Sequence, residues 1–366
     1  MIDFFPIELY YKIYINLALF ITLFTFFHTL ILDIDHPKNI RYLNFMGYFL
    51  LFFIIIYMGL RPIHGIFTDM MTYARHFERY ANGYPILLNQ DLGFHIFMKF
   101  CAQFMTANTF FLVCAFMYIY PMFLISKKFF KEYWFFCFFM FIVSFSFWPY
   151  GVNGIRNGIA TSFFLLAFTY SDKKILMVTY MVIACLFHKT LLLPTLAYIA
   201  TLFHNNPKTY LKTWLLTIPL SLFLGSVWIA FFSSLGFADD RLGGYLTGEA
   251  DAKFESLSFR WDFLIYSASA VFSGWFFVFK KGFKDIYYNR LFNIYLIANS
   301  FWILVIRANF SNRFAYISWF MMGIIIIYPL LKQQFFKNQN FVIGKILFVY
   351  FSFTYFMYFV YYADKH

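Results

Sequence analysis

Run after run of apolar residues, each near the length that crosses a bilayer, constrains this chain more than any other feature. A membrane-crossing helix needs about 17–25 mostly apolar residues. Runs of that kind lie at 12–32, 43–60, 108–126, 132–149, 155–171, 174–187, 190–204, 212–232, 261–279, 288–306, 314–331 and 342–362. The expected fold is all-α: one polytopic transmembrane domain over residues 1–366, with about 12 membrane helices in a range of 11–14. Composition closes off the alternatives. With 62% hydrophobic and only 13% charged residues, and with 59 Phe and 29 Tyr, a water-soluble fold would expose enough aromatic surface to aggregate. Soluble enzymes and disordered chains are excluded on the same ground.

Segment 92–107 breaks the pattern. Phe94, Phe97, Met98, Cys101 and Met105 fall near helical spacing, with His95, Lys99 and Gln103 between them. That arrangement suits a helix lying in the membrane interface. Met1–Tyr11 carries Asp3 and Glu8 without a basic region or cleavage site, so the first run reads as a retained span. Cys101, Cys114, Cys137 and Cys185 lie within apolar or amphipathic stretches, without metal-ligand spacing, and are expected to pack as small hydrophobes.

The net charge of +12 divides into two populations. With the amino terminus outside, the short cytoplasmic connections hold 16 of the 29 basic residues, and 14 of those are Lys. Eight of the ten Arg fall on the opposite side: Arg61, Arg75, Arg79, Arg156, Arg241, Arg260, Arg307 and Arg313. Lysine alone would set the orientation, so the outer arginines call for another reason. Loop solubility or headgroup contact is one. The other is the planar donor fork with which arginine grips phosphate. Arg61, Arg156, Arg307 and Arg313 stand at span edges, where a charge is costly unless it faces a partner or a wet cavity. The excess charge therefore points to anionic lipids and not to nucleic acid.

Two outer loops are long enough for chemistry, 61–91 and 233–260. The second is rich in Gly and carries Asp239 and Asp240 as a bare acidic pair. In the first, Thr68-Asp69-x-x-x-Tyr73 follows a span. Asp69 is a candidate general base or sugar ligand, with Tyr73 one helical turn away; a helix cap at Thr68 or Asp69 is the structural alternative. Further on, glycines and a proline precede a helix with Arg156 in its first turn, where the positive charge opposes the helix dipole. Arg156 and the open backbone donors of that turn would together hold an anion. Phe187-His188-Lys189-Thr190 stands between two short spans, and its histidine is either structural or catalytic. Arg307 and Arg313 bracket an outer turn near the carboxyl end.

The order Thr-Asp-x-x-x-Tyr, Ile-Arg-x-x-Ile-Ala, Phe-His-Lys-Thr and Asn-Arg-Phe-x-x-Tyr resembles the EpsG family of polysaccharide polymerases, related in role to Wzy. The resemblance covers about Met58 to Leu330. Asp69 and Tyr73 match its Gly-Thr-Asp-Tyr-x-x-Tyr element, though Phe67 replaces the Gly and Met70 the first Tyr. Arg156 matches its Ile-Arg-Gln, with Asn157 in place of Gln, and His188 matches its Phe-His. The resemblance implies polymerisation of undecaprenyl-pyrophosphate-linked oligosaccharides into O-antigen, capsule or exopolysaccharide at the outer face of a bacterial cytoplasmic membrane. It implies membrane lipids, a chain-length regulator and a flippase as partners. His188 or Asp69 would take the acceptor proton. Arg156, Arg313, Arg61 or Arg307 and Lys189 would hold the diphosphates, with Tyr73, Asn157 and Arg260 completing the substrate site. No cofactor and no metal are expected. A lipid-linked oligosaccharide flippase and an O-antigen ligase are the rival readings. A flippase should show two similar halves and a cationic through-path, and the two halves of this chain do not look alike.

Overall fold

A computed structural model of the chain describes residues 6–86, 91–234, 259–308 and 311–361. Among the described residues the regular structure is helical, with no strand. Seven stretches of the described residues are long and apolar enough to cross a membrane: Ile7–Ile31, Pro37–Gly59, Ala107–Ile142, Pro207–Phe232, Trp261–Lys280, Ser311–Lys332 and Gln339–Val360. The spans expected at 155–171, 174–187 and 190–204 fall on shorter apolar helices, Ile155–Phe168, Lys174–Phe187 and Lys189–Phe203. The chain is a polytopic membrane protein, and it divides into two compact units, Met1–Leu191 with Leu330–His366 and Leu192–Pro329.

The first unit begins with α1 (Tyr10–Ile31) and α2 (Pro37–Gly59). Proline opens α2, where its missing N–H costs nothing, and His36 Nδ1 accepts from Lys38 N–H to cap the turn. Next come α3 (Met70–Ala81), α4 (Leu92–Cys101) and α5 (Ala107–Phe130). Segment 61–91 is thus an ordered helix-bearing connection over much of its length. The ten residues of α4 extend about 15 Å, half the thickness of a hydrocarbon core.

After a turn at Lys131, which takes φ 48°, α6 (Trp134–Ile142) runs beside α5 and α2. All nine of its residues are buried, as expected for a helix apolar on every face. Then follow α7 (Phe147–Val152), α8 (Ile155–Phe168) and α9 (Lys174–Phe187). Helix α8 packs between α5 and α9, and α4 lies against α9. Stacked rings knit the unit together, among them Tyr10 on Tyr57 at 5.0 Å and Tyr14 on Trp148 at 4.8 Å. At the opposite end from the start of α8, Lys128 lies over the Tyr170 ring at 3.9 Å and Tyr133 donates to Asp35. Asp33 and Asp35 there form the chain's single Asp-x-Asp.

The second unit holds α10 (Leu192–Phe203), α11 (Pro207–Ser234), α12 (Trp261–Trp275), α13 (Ile286–Leu304), α14 (Ser311–Trp319) and most of α15 (Met322–Lys332). Asp285 caps α13 by accepting from Tyr287 and Tyr288 N–H, both at 2.9 Å. Pro219 and the non-helical Leu224 kink α11. At its core Asn299 accepts from Trp214 and donates to Ser267 and Ser318, so buried polar groups answer one another. In the first unit, α16 (Gln339–Tyr361) returns against α1. Cys101, Cys114 and Cys137 are buried and Cys185 half-buried.

Candidate functional site

Three helix ends of the first unit converge on one carboxylate, Asp91, at the start of α4. Its Oδ2 accepts from Arg156 Nη1 at 2.7 Å, and its Oδ1 accepts from the Lys189 backbone N–H at 3.0 Å. His188 Nε2 stands 3.8 Å from the same Oδ2. Arg156 comes from the first turn of α8, and His188 and Lys189 from the turn after α9. Arg156 Nε donates to the Tyr73 hydroxyl at 3.2 Å, which brings α3 into the same cluster.

Close backbone approach makes this convergence possible. A Cβ on Gly158 would sit 2.7 Å from the Tyr150 carbonyl oxygen, so only glycine lets the first turn of α8 lie against α7. That helix start has no side-chain cap, and its charged side chain is stabilised by Asp91 in place of the dipole.

His188 has a defined tautomer. The Thr190 backbone N–H donates to its Nδ1 at 3.2 Å, and the Thr190 hydroxyl donates to Asn157 Oδ1 at 3.0 Å. Nδ1 is therefore an acceptor, and a neutral imidazole carries its proton on Nε2, facing Asp91. Burial holds the imidazole well below its ordinary value, at about 4; Asp91 opposes this, while Arg156 and Lys189 add to it. At 3.8 Å the Nε2 edge lies beside Asp91 without a hydrogen bond to it. Burial likewise raises the Tyr73 hydroxyl above its usual range.

Asp69 occupies the N-cap position of α3 but makes no capping bond with its side chain. Its carboxylate is half-buried, makes no hydrogen bond to the described residues, and lies close enough to act electrostatically on Tyr73. Thr68 just before it is held at φ 40°, a conformation that β-branched residues rarely adopt.

Arg61 has a different setting from the one expected. It is 2% exposed, donates to the carbonyls of Met58 and Val152, and lies over the Phe67 and Phe111 rings at 5.4 and 5.8 Å. Burial lowers its guanidinium to about 10. It ties the end of α2 to α7 and shows no face to a ligand.

The other expected residues belong to the second unit. Arg260 grips Asp262 with Nε at 2.9 Å and Nη2 at 2.6 Å, over the Phe263 ring, so its fork is occupied. Arg307 is half-buried beside Gly225, and its Nε lacks a partner among the described residues. Arg313 is exposed on α14. Most of the loop at 233–260, with Arg241, Asp239 and Asp240, lies outside the described residues.

The structure thus brings Tyr73, Arg156, Asn157, His188 and Lys189 together, with Asp69 nearby. Sequence reasoning missed Asp91, the group at the centre. Its only signal was its position as the last acid before an amphipathic helix. It also missed Thr190, which fixes the His188 tautomer.

Compared with known proteins, residues 44–366 match the EpsG family model. No curated protein and no solved structure matches the chain.

Proposed function

The chain belongs to the EpsG family of membrane polysaccharide polymerases, and from that membership and the cluster around Arg156 we propose how it works. The substrates are lipid-linked oligosaccharide repeat units. The donor is a growing glycan on undecaprenyl pyrophosphate. The acceptor is a repeat unit on the same kind of carrier, whose non-reducing-end hydroxyl attacks the donor's anomeric carbon. The C–O bond to the diphosphate breaks as the new glycosidic bond forms. About 12 helix passes, with the amino terminus and the Arg156 cluster outside, would set this reaction at the outer face of the bacterial cytoplasmic membrane.

The observation that carries the reading is the division of Arg156's donors. Nε is taken by Tyr73 and Nη1 by Asp91, while Nη2 has no partner among the described residues. A half-buried guanidinium with one open donor edge suits the charge that develops on a departing diphosphate. Lys189 adds positive charge from the turn after α9. Asp69, whose carboxylate has no hydrogen bond among the described residues, is the better placed base. His188 carries its proton on Nε2, which faces Asp91. No step requires a metal.

Elongation of purified lipid-linked repeat units in liposomes tests this reading. The expected result is a ladder of glycan lengths that is unchanged by a chelator. A ladder abolished by the chelator would remove the metal-free mechanism. Single repeats only, with translocation across the bilayer, would favour a flippase.

A further inference from the structure

Asp91 is an odd neighbour for a residue that binds an anion. Its negative charge lowers the affinity of the site for a diphosphate, so its presence has to be explained by something other than ligand binding. We infer that Asp91 is the positioning residue of the site, holding Arg156 and the His188–Lys189 turn in a single arrangement without touching the substrate. This rests on the reading of Arg156 as a diphosphate ligand.

Four observations carry it. The two carboxylate oxygens hold different partners, Oδ1 accepting from Lys189 N–H at 3.0 Å and Oδ2 from Arg156 Nη1 at 2.7 Å. The Asp91 side chain is 4% exposed against 26% for Arg156, so the acid is closed off and the arginine is not. Asp91 itself sits at φ 51° and ψ 40°, a left-handed conformation that Asp tolerates and that turns the chain into α4. Gly93 completes the device. A Cβ there would stand 2.7 Å from Leu186 Cβ and 3.0 Å from the Leu186 carbonyl oxygen. The start of α4 therefore lies directly on the last turn of α9, which leads straight into His188.

The chemistry of the amide makes Asp91→Asn informative. Whichever way the Asn amide turns, its NH2 faces either the Lys189 N–H or the Arg156 guanidinium, so one attachment is lost while volume is kept. Initial rates of elongation in liposomes would be measured over a range of lipid-linked repeat concentrations. We expect kcat to fall on the order of 10²-fold, as misplacement by about an ångström does. KM should stay level or fall, because a negative charge has been removed beside the diphosphate. Gly93→Ala should lower kcat in the same direction although it changes no polar group. A double substitution, Asp91→Asn with Arg156→Lys, should cost little more than Arg156→Lys alone, since Asp91 acts through Arg156. Thermal unfolding in detergent accompanies each variant. Should Asp91→Asn fail to fold, Gly93→Ala carries the test.

A raised KM at unchanged kcat would overturn the inference by making Asp91 a substrate contact. Wild-type kinetics for Asp91→Asn or Gly93→Ala, or full additivity in the double variant, would also overturn it. Wild-type kinetics for Arg156→Ala would instead sink the functional reading itself, so the two failures are distinguishable.

Discussion

Arg61 and Arg156 belong to the same unit, at the end of one helix and the start of another, yet their surroundings are opposite. Arg61 is enclosed by two backbone carbonyls and two aromatic rings. Arg156 is held by an acid and a phenol, and among the described residues its Nη2 keeps an open donor edge. Both are costly charges in a membrane protein, and each is held by more than one partner. What differs is the kind of partner. Neutral carbonyls and rings in close packing shut a guanidinium away from any ligand, even with the Arg61 Nε unpartnered among the described residues, whereas an acid on one side fixes its direction and leaves the other side for a ligand. Position at a span edge does not separate these two cases; the identity of the groups that reach the arginine does.

The comparison breaks first at Arg156. Arg156→Lys keeps the charge, but one ammonium cannot serve Tyr73, Asp91 and a diphosphate in the same geometry. Elongation should fall on the order of 10²- to 10³-fold, the scale for losing an aligned donor to a developing anion. Rates near wild type would show that a point charge suffices. The next effect separates the two base candidates. Asp69→Asn should reduce kcat by about 10²-fold or more, and His188→Gln by less, because only Asp69 can take a proton as arranged. The reverse order would return the base role to His188.

Arg61→Met sharpens the contrast from the other side. It should lower the thermal midpoint, since two carbonyls lose their donor at a cost of about 1–3 kcal/mol each, while leaving kcat within about threefold. A large kcat loss with an unchanged midpoint would put Arg61 back among the ligands.

The smallest effect is in pH. Burial holds His188 and His95 near 4, against 6.5 in an unfolded chain. Between those values the unfolded state binds more protons, so this contribution is complete above about pH 6.5 and is lost as pH falls toward 4. His188→Gln should flatten part of that slope in thermal midpoints measured from about pH 7 to about pH 4.5. An unchanged slope would mean that His188 binds protons equally in the folded and unfolded states.

The apolar runs made the helical membrane fold legible, because span length and hydropathy are local properties. The helix ends were less so. Gly158 and Gly93 matter through contacts with Tyr150 and Leu186, and no local pattern shows a close approach between helices. Arg156, Tyr73 and His188 stood out as charged or polar residues at outer turns, and they do cluster. Asp91 did not, because its role depends on Arg156 and Lys189, 65 and 98 residues away in sequence. Arg61 looked like Arg156 for the same reason: its aromatic enclosure comes from Phe67 and from Phe111 on α5, the second far along the chain.

Native mass spectrometry of the detergent-solubilised protein with undecaprenyl diphosphate tests the central claim most directly. Wild type and Arg61→Met should both retain the lipid, and Arg156→Ala should lose most of it. Equal retention by all three, or loss on Arg61→Met alone, would contradict the account.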